Sequence, residues 1–79
     1  MISPQQIRMA RAGLRWTIES LSRESGVGSR TIKRIEATNH LGSVNLSTLE
    51  KLVATLEAAG VEFIEADDGS RGVVLRARK

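Results

Sequence analysis

With 79 residues, a formal net charge of +3 and only two aromatic side chains, Trp16 and Phe63, the chain has the size of one small domain. Cysteine is absent, which excludes a disulfide framework and a thiolate metal site and fits a reducing, cytoplasmic setting. No apolar run approaches the roughly 20 residues of a membrane helix, and no charged lead followed by an apolar core opens the chain, so membrane insertion and export by that route are not expected.

A domain this small buries only about 60–65% of its unfolded surface, so some stability is expected from a second subunit. Charge is unevenly placed. Met1 to Leu46 holds seven Lys or Arg against three Glu, whereas Ser47 to Lys79 holds five against six acids.

Ser3-Pro4 opens the first helix, since Ser caps and Pro suits the first helical position. The helix is expected from about Pro4 to Ala12, with Ile7, Ala10 and Leu14 inward and Gly13 ending it. Trp16 follows in the connection and is read as a plug between helices; without aromatic neighbours it makes a poor base-stacking platform.

Thr17 to Glu36 divides at Ser25-Gly26-Val27-Gly28 into two short helical segments. Ile18 and Leu21 in the first, and Ile32 and Ile35 in the second, recur at helical spacing, so both faces point into one core. Gly26 sits where the first segment must stop and can take positive φ, and Val27 is an apolar plug. Two short helices around such a turn make a helix-turn-helix pattern, whose second helix is offered to the DNA major groove. Its outward residues are Ser29, Arg30, Lys33 and Arg34. Gly28 or Ser29 caps it.

Ala37 to Asn45 is a loop rich in turn formers, and its His40 is the only histidine, which leaves no histidine cluster for a metal. Ser47-Thr48-Leu49-Glu50 has the form of a capping box. A fourth helix follows to Ala59, with Leu49, Leu52, Val53, Leu56 and Ala59 in one apolar stripe, and Gly60 closes it.

From Val61 the period changes to that of strands. Val61 to Ala66 and Gly72 to Ala77 flank Asp67-Asp68-Gly69-Ser70, where Asp-Gly signals a hairpin, giving a core of 4–59 and a hairpin of 61–77 within one domain of 1–79. Phe63 and Ile64 point to opposite faces, as do Val74 and Leu75, so both faces carry apolar residues. One face covers the fourth helix. The other needs a second copy, and Phe63, Ile64, Val73, Val74 and Leu75 are assigned to a homodimer interface. The alternative is a monomer whose Arg76, Arg78 and Lys79 guard the edge.

The stretch ARAGLRWTIESLSRESGVGSRTIKRIE resembles the helix-turn-helix family of Cro and lambda-repressor type regulators, often called the XRE family. Trp16, Leu21, Gly26, Val27, Thr31, Ile32, Ile35 and Glu36 match its pattern. Three positions depart from it: Ile18 stands where Gln is usual, Ser22 where Ala is usual, and Gly28 where Ser or Thr caps the second helix. The resemblance implies a mainly α, four-helix lambda-repressor-like DNA-binding domain, here with a C-terminal β-hairpin at the dimer interface. It also implies an ion pair between Arg11 and Glu36 tying the first helix to the third.

The expected function is a dimeric, sequence-specific repressor of transcription reading a pseudo-palindrome in double-stranded DNA. Ser29, Arg30, Lys33 and Arg34 are the base-contact candidates, Arg being suited to guanine O6 and N7. Thr17 and Gly28 at the helix starts, with Arg23, Asn39 and His40, are the phosphate-contact candidates. No catalytic residue, cofactor or metal site is assigned: Ser, His and Asp combine into a triad only if spacing is ignored, and Asp67-Asp68 is explained by the turn. The alternative is an adaptor or antitoxin-like protein whose main partner is another protein.

Overall fold

The computed structural model describes residues 2–38 and 44–76. Four helices and a two-stranded antiparallel sheet follow one another along the chain: α1 Pro4–Gly13, α2 Ile18–Ser25, α3 Ser29–Ala37, α4 Leu46–Ala58, β1 Val61–Glu65 and β2 Arg71–Leu75. Ile7, Ala10, Leu21, Val27, Ile32, Ile35, Leu52, Leu56 and Val61 form one buried cluster, drawn from every helix and from β1. Leu14, Trp16, Ile18, Leu49, Val53, Phe63 and Val73 pack against it. The apolar periodicities therefore assign the inward faces as expected. No helix among the described residues is long and apolar enough to cross a membrane.

α1 starts on a complete capping box, which Gln6 closes. The Ser3 hydroxyl accepts from the Gln6 amide, and the Gln6 side-chain oxygen accepts from the Ser3 amide at 2.8 Å. The other end of the same buried side chain donates to the carbonyls of Ile64 and Gly72, at 3.0 and 2.8 Å, so one glutamine both caps α1 and pins the hairpin to it.

The end of α1 differs from expectation. Gly13 stays helical, and Arg15 takes the left-handed conformation at φ 59°. Trp16 N–H donates to Arg11 O and Arg15 N–H to Ala12 O, a Schellman arrangement with Arg where Gly is usual. Gly13 answers instead to packing: a Cβ built on it would lie 2.8 Å from Cδ1 of Leu75, so the strand rests on the bare helix surface there.

Thr17 caps α2, its hydroxyl accepting from the Ser20 amide, and Gly26 ends it at φ 78°. Gly28 is the N-cap of α3 and supplies no side-chain cap; Ser29 lies inside the helix and does not replace it. α4 corrects the proposed capping box. Asn45 is the N-cap, its side-chain oxygen accepting from the amides of Ser47 and Thr48. Ser47 lies in the first turn, and its hydroxyl donates to Asn45. Asn and Ser cap about equally well, and it is Asn45 that sits directly before the first helical residue.

The strands pair Val61 with Leu75, Phe63 with Val73 and Ile64 with Gly72. Their turn is not the two-residue type with positive φ at both centres: neither aspartate has positive φ, while Gly69 has φ 89°. Gly69 N–H donates to Ala66 O and Ala66 N–H to Ser70 O, which is a three-residue loop ending in a glycine bulge. Asp68 accepts from the Ser70 amide, and its contacts with Ser70 hold its pKa below the ordinary aspartate value.

One face of the hairpin lies on α1 and α4. Phe63 and Val73 belong to that face and pack on the core, and Leu75 rests on Gly13. Of the five residues assigned to a dimer interface, Ile64 and Val74 lie on the outward face, and Leu75, on the other, is still 46% exposed. The reason is register, which commits alternate residues of each strand to the body of the chain.

Candidate nucleic-acid interface

The nine residues of α3 divide cleanly by chemistry. Ile32, Ile35 and Glu36 are buried, and Arg30, Lys33 and Arg34 are exposed, with Ser29 and Thr31 half-buried between them. Glu36 is the only acid in the helix and it is turned inward, so the outward face carries three cations and no neutralising charge.

No side chain of Arg30, Lys33 or Arg34 makes a hydrogen bond or ion pair with a described residue. Arg15, Arg23 and Lys51 share that condition. By contrast, the cations of α1 and the hairpin are used internally. Arg71 pairs with Glu65, Arg76 with Glu62, and Arg8 and Arg11 with Glu36. Arg30 with Lys33 and Arg30 with Arg34 are like-charge neighbours at i,i+3 and i,i+4, each costing a helix about 0.2–0.5 kcal/mol. A polyanion laid on this face would offset that repulsion by attracting all three cations.

Glu36 holds α3 to α1. Arg11 Nε and Nη2 donate to its two carboxylate oxygens at 2.8 and 2.9 Å, a forked pair, while Arg11 Nη1 donates to the carbonyl of Trp16 at 3.0 Å. The bond to the carboxylate raises the Arg11 pKa above its already high ordinary value. The Arg11–Glu36 geometry agrees with the expected pair. Arg8 was not assigned such a role in the sequence; its Nη1 donates to the main-chain carbonyl of Glu36 at 2.7 Å. No periodicity announces that contact, because it depends on where the end of α3 meets α1.

The phosphate candidates fall in three groups. Thr17 spends its hydroxyl on capping α2, and Arg23 lies exposed in the last turn of that helix. Gly28 leaves the first amides of α3 without a side-chain cap and, lacking a Cβ, leaves the approach to them open. Asn39 and His40 lie outside the described residues. Ile18, where the resembling family has Gln, is half-buried against the core and is an apolar packing residue. A cleft of about 160 Å³ separates α3 from the start of α4, with Arg34, Thr31 and Ile35 on one wall and Asn45 and Thr48 on the other.

Among the described residues, no group of three or more His, Asp or Glu is placed to hold a metal ion. No family model matches the chain, and no curated protein matches it.

Proposed function

We propose that this chain is a sequence-specific DNA-binding regulator of the Cro and lambda-repressor type, a dimeric repressor that reads a pseudo-palindromic operator through the major groove. The observation that carries the reading is the outward face of α3, where three exposed cations have no partner among the described residues and the one acid is turned inward. In this reading α3 is the recognition helix. Arg30 and Arg34, four residues apart and on one face, offer forked donors to guanine, and Ser29 and Lys33 flank them. The uncapped start of α3 and the first turn of α2 approach phosphates, with Arg23 beside them.

Selection of a random duplex pool at two salt concentrations, followed by sequencing of the bound fraction, tests this. A two-fold symmetric motif is expected, with affinity falling steeply as salt rises because cations release counterions from DNA. Absence of any enriched motif, with binding lost at moderate salt, would overturn it and turn attention to a protein partner. Arg34→Ala should weaken binding to the best sequence by about 1–3 kcal/mol and relax preference at one base pair. An equal loss on all sequences would make Arg34 a phosphate contact.

A further inference from the structure

Arg8 occupies an unusual place among the cations of the chain. It is an exposed residue near the middle of α1, yet its guanidinium is engaged at 2.7 Å by the main-chain carbonyl of Glu36, in the last turn of α3. Three residues further along α1, Arg11 grips the carboxylate of the same glutamate.

The two bonds constrain different motions. A side chain swings about its own torsions, so the Arg11 fork fixes the roll of α3 only as firmly as the Glu36 rotamer is fixed. A bond to the main-chain carbonyl acts on the helix backbone itself and holds the position of its end. It also places a cation at the helix C-terminus, where the last carbonyls lack partners within the helix and the macrodipole favours positive charge.

At the opposite end Val27 and Ile32 are buried in the core, but Gly28 provides no side-chain cap. The side-chain hydrogen bonds that fix the helix are therefore at its C-terminal end, and a shift there is carried along nine residues to Ser29 and Arg30.

We propose that Arg8 is a positioning residue that sets how α3 is presented to base edges, and that it acts through the Glu36 carbonyl and not by touching DNA. The proposal rests on the DNA-binding reading above. It separates Arg8 from Arg30, Lys33 and Arg34, whose guanidinium and ammonium groups have no partner among the described residues.

The test compares the wild-type chain with Arg8→Met, which keeps length and helix propensity but has no donor, and with Arg8→Lys, which keeps one. Amide hydrogen exchange in the last turn of α3 is followed without DNA. Affinities for the selected site and for a scrambled duplex are then measured across a salt series, well below the melting temperature of each variant.

Arg8→Met should speed exchange at the end of α3 and lower the ratio of selected-site to scrambled affinity several-fold, with about tenfold, the worth of one charge-assisted hydrogen bond, as the upper bound. The slope of log affinity against log salt should stay that of the wild type, and Arg8→Lys should recover part of the ratio. A slope shallower by about 0.9, with the ratio intact, is the signature of a lost phosphate contact and would overturn the proposal. An unchanged ratio with an unchanged slope would overturn it as well. If the wild-type chain selects no sequence, it is the DNA-binding reading that falls. The exchange measurement, made without DNA, then decides by itself whether Arg8 holds the end of α3.

Discussion

Two side chains make cross-element bonds that no neighbour could supply. Gln6 is 2% exposed, closes the capping box of α1 through its oxygen and reaches two strand carbonyls through its nitrogen. An amide is the one common side chain with both an acceptor and two donors on one carbon. Gln6→Glu keeps the acceptor for Ser3 and sets a carboxylate against two carbonyl oxygens. It should destabilise the fold by about 3 kcal/mol, readable from urea unfolding at neutral pH. The pH dependence has a definite sign. The site favours the protonated acid, so the folded-state pKa of the new carboxyl is raised. The deficit is then smallest below the ordinary glutamate value of about 4.3 and grows as pH rises through the raised value. A deficit independent of pH would mean that the carboxylate had turned out to solvent. The Glu36 side chain is the second, taking the fork of Arg11, while the main-chain carbonyl of the same residue takes the single bond of Arg8.

At the scale of elements, the turn between α1 and α2 shows how a plausible local signal can have another cause. A glycine at position 13 reads as a helix stop, yet it stays helical and its missing side chain makes room for Leu75, while the left-handed duty falls to Arg15 two residues on. The left-handed conformation costs a residue with a Cβ roughly 1–2 kcal/mol, and glycine regains part of that at the expense of a more flexible unfolded chain. Arg15→Gly is therefore expected to stabilise the protein by about 0.5–1 kcal/mol, measured as a higher urea midpoint with an unchanged slope. A lower midpoint would show that the Arg15 side chain contributes more than its backbone strain costs. The start of α4 carries the same lesson in milder form. Ser47 and Glu50 have the spacing of a capping box, but the Asn45 side-chain oxygen reaches the first-turn amides from one step outside the helix.

For the whole molecule, the hairpin is the element whose outer surface remains open. Ile64 is 43% exposed and stands over Gly72, with Val74 beside it on the same face. If the chain dimerises through this face, Ile64→Asp should convert a dimer into a monomer in sedimentation velocity and weaken binding to the full palindrome without lowering thermal stability of the subunit. Phe63→Ala, one residue away on the inward face, should behave oppositely. It should cost about 2–4 kcal/mol of subunit stability through lost packing. A wild-type chain that sediments as a monomer at all concentrations would remove the hairpin from the interface.

Much of this architecture is legible in the residues. Ile32 and Ile35 face inward and Arg30, Lys33 and Arg34 outward because a 3.6-residue period leaves no other choice once a core exists, and Gly26 stops α2 because only glycine takes positive φ there without strain. Ser3-Pro4 and the change of period at Val61 are equally local. The sequence by itself thus determined the number and order of the elements and the inward faces of the helices, together with the excess of cations on α3, since each depends on neighbours within a few positions. Tertiary structure alone decided that Gln6 pins the hairpin, that Arg8 holds the end of α3, that Gly13 yields to Leu75, and that Phe63 and Val73 lie inside while Ile64 and Val74 lie outside. Those facts turn on which surfaces of distant segments meet and in which register, and contacts between residues 6 and 72, or 8 and 36, leave no periodic trace along the chain.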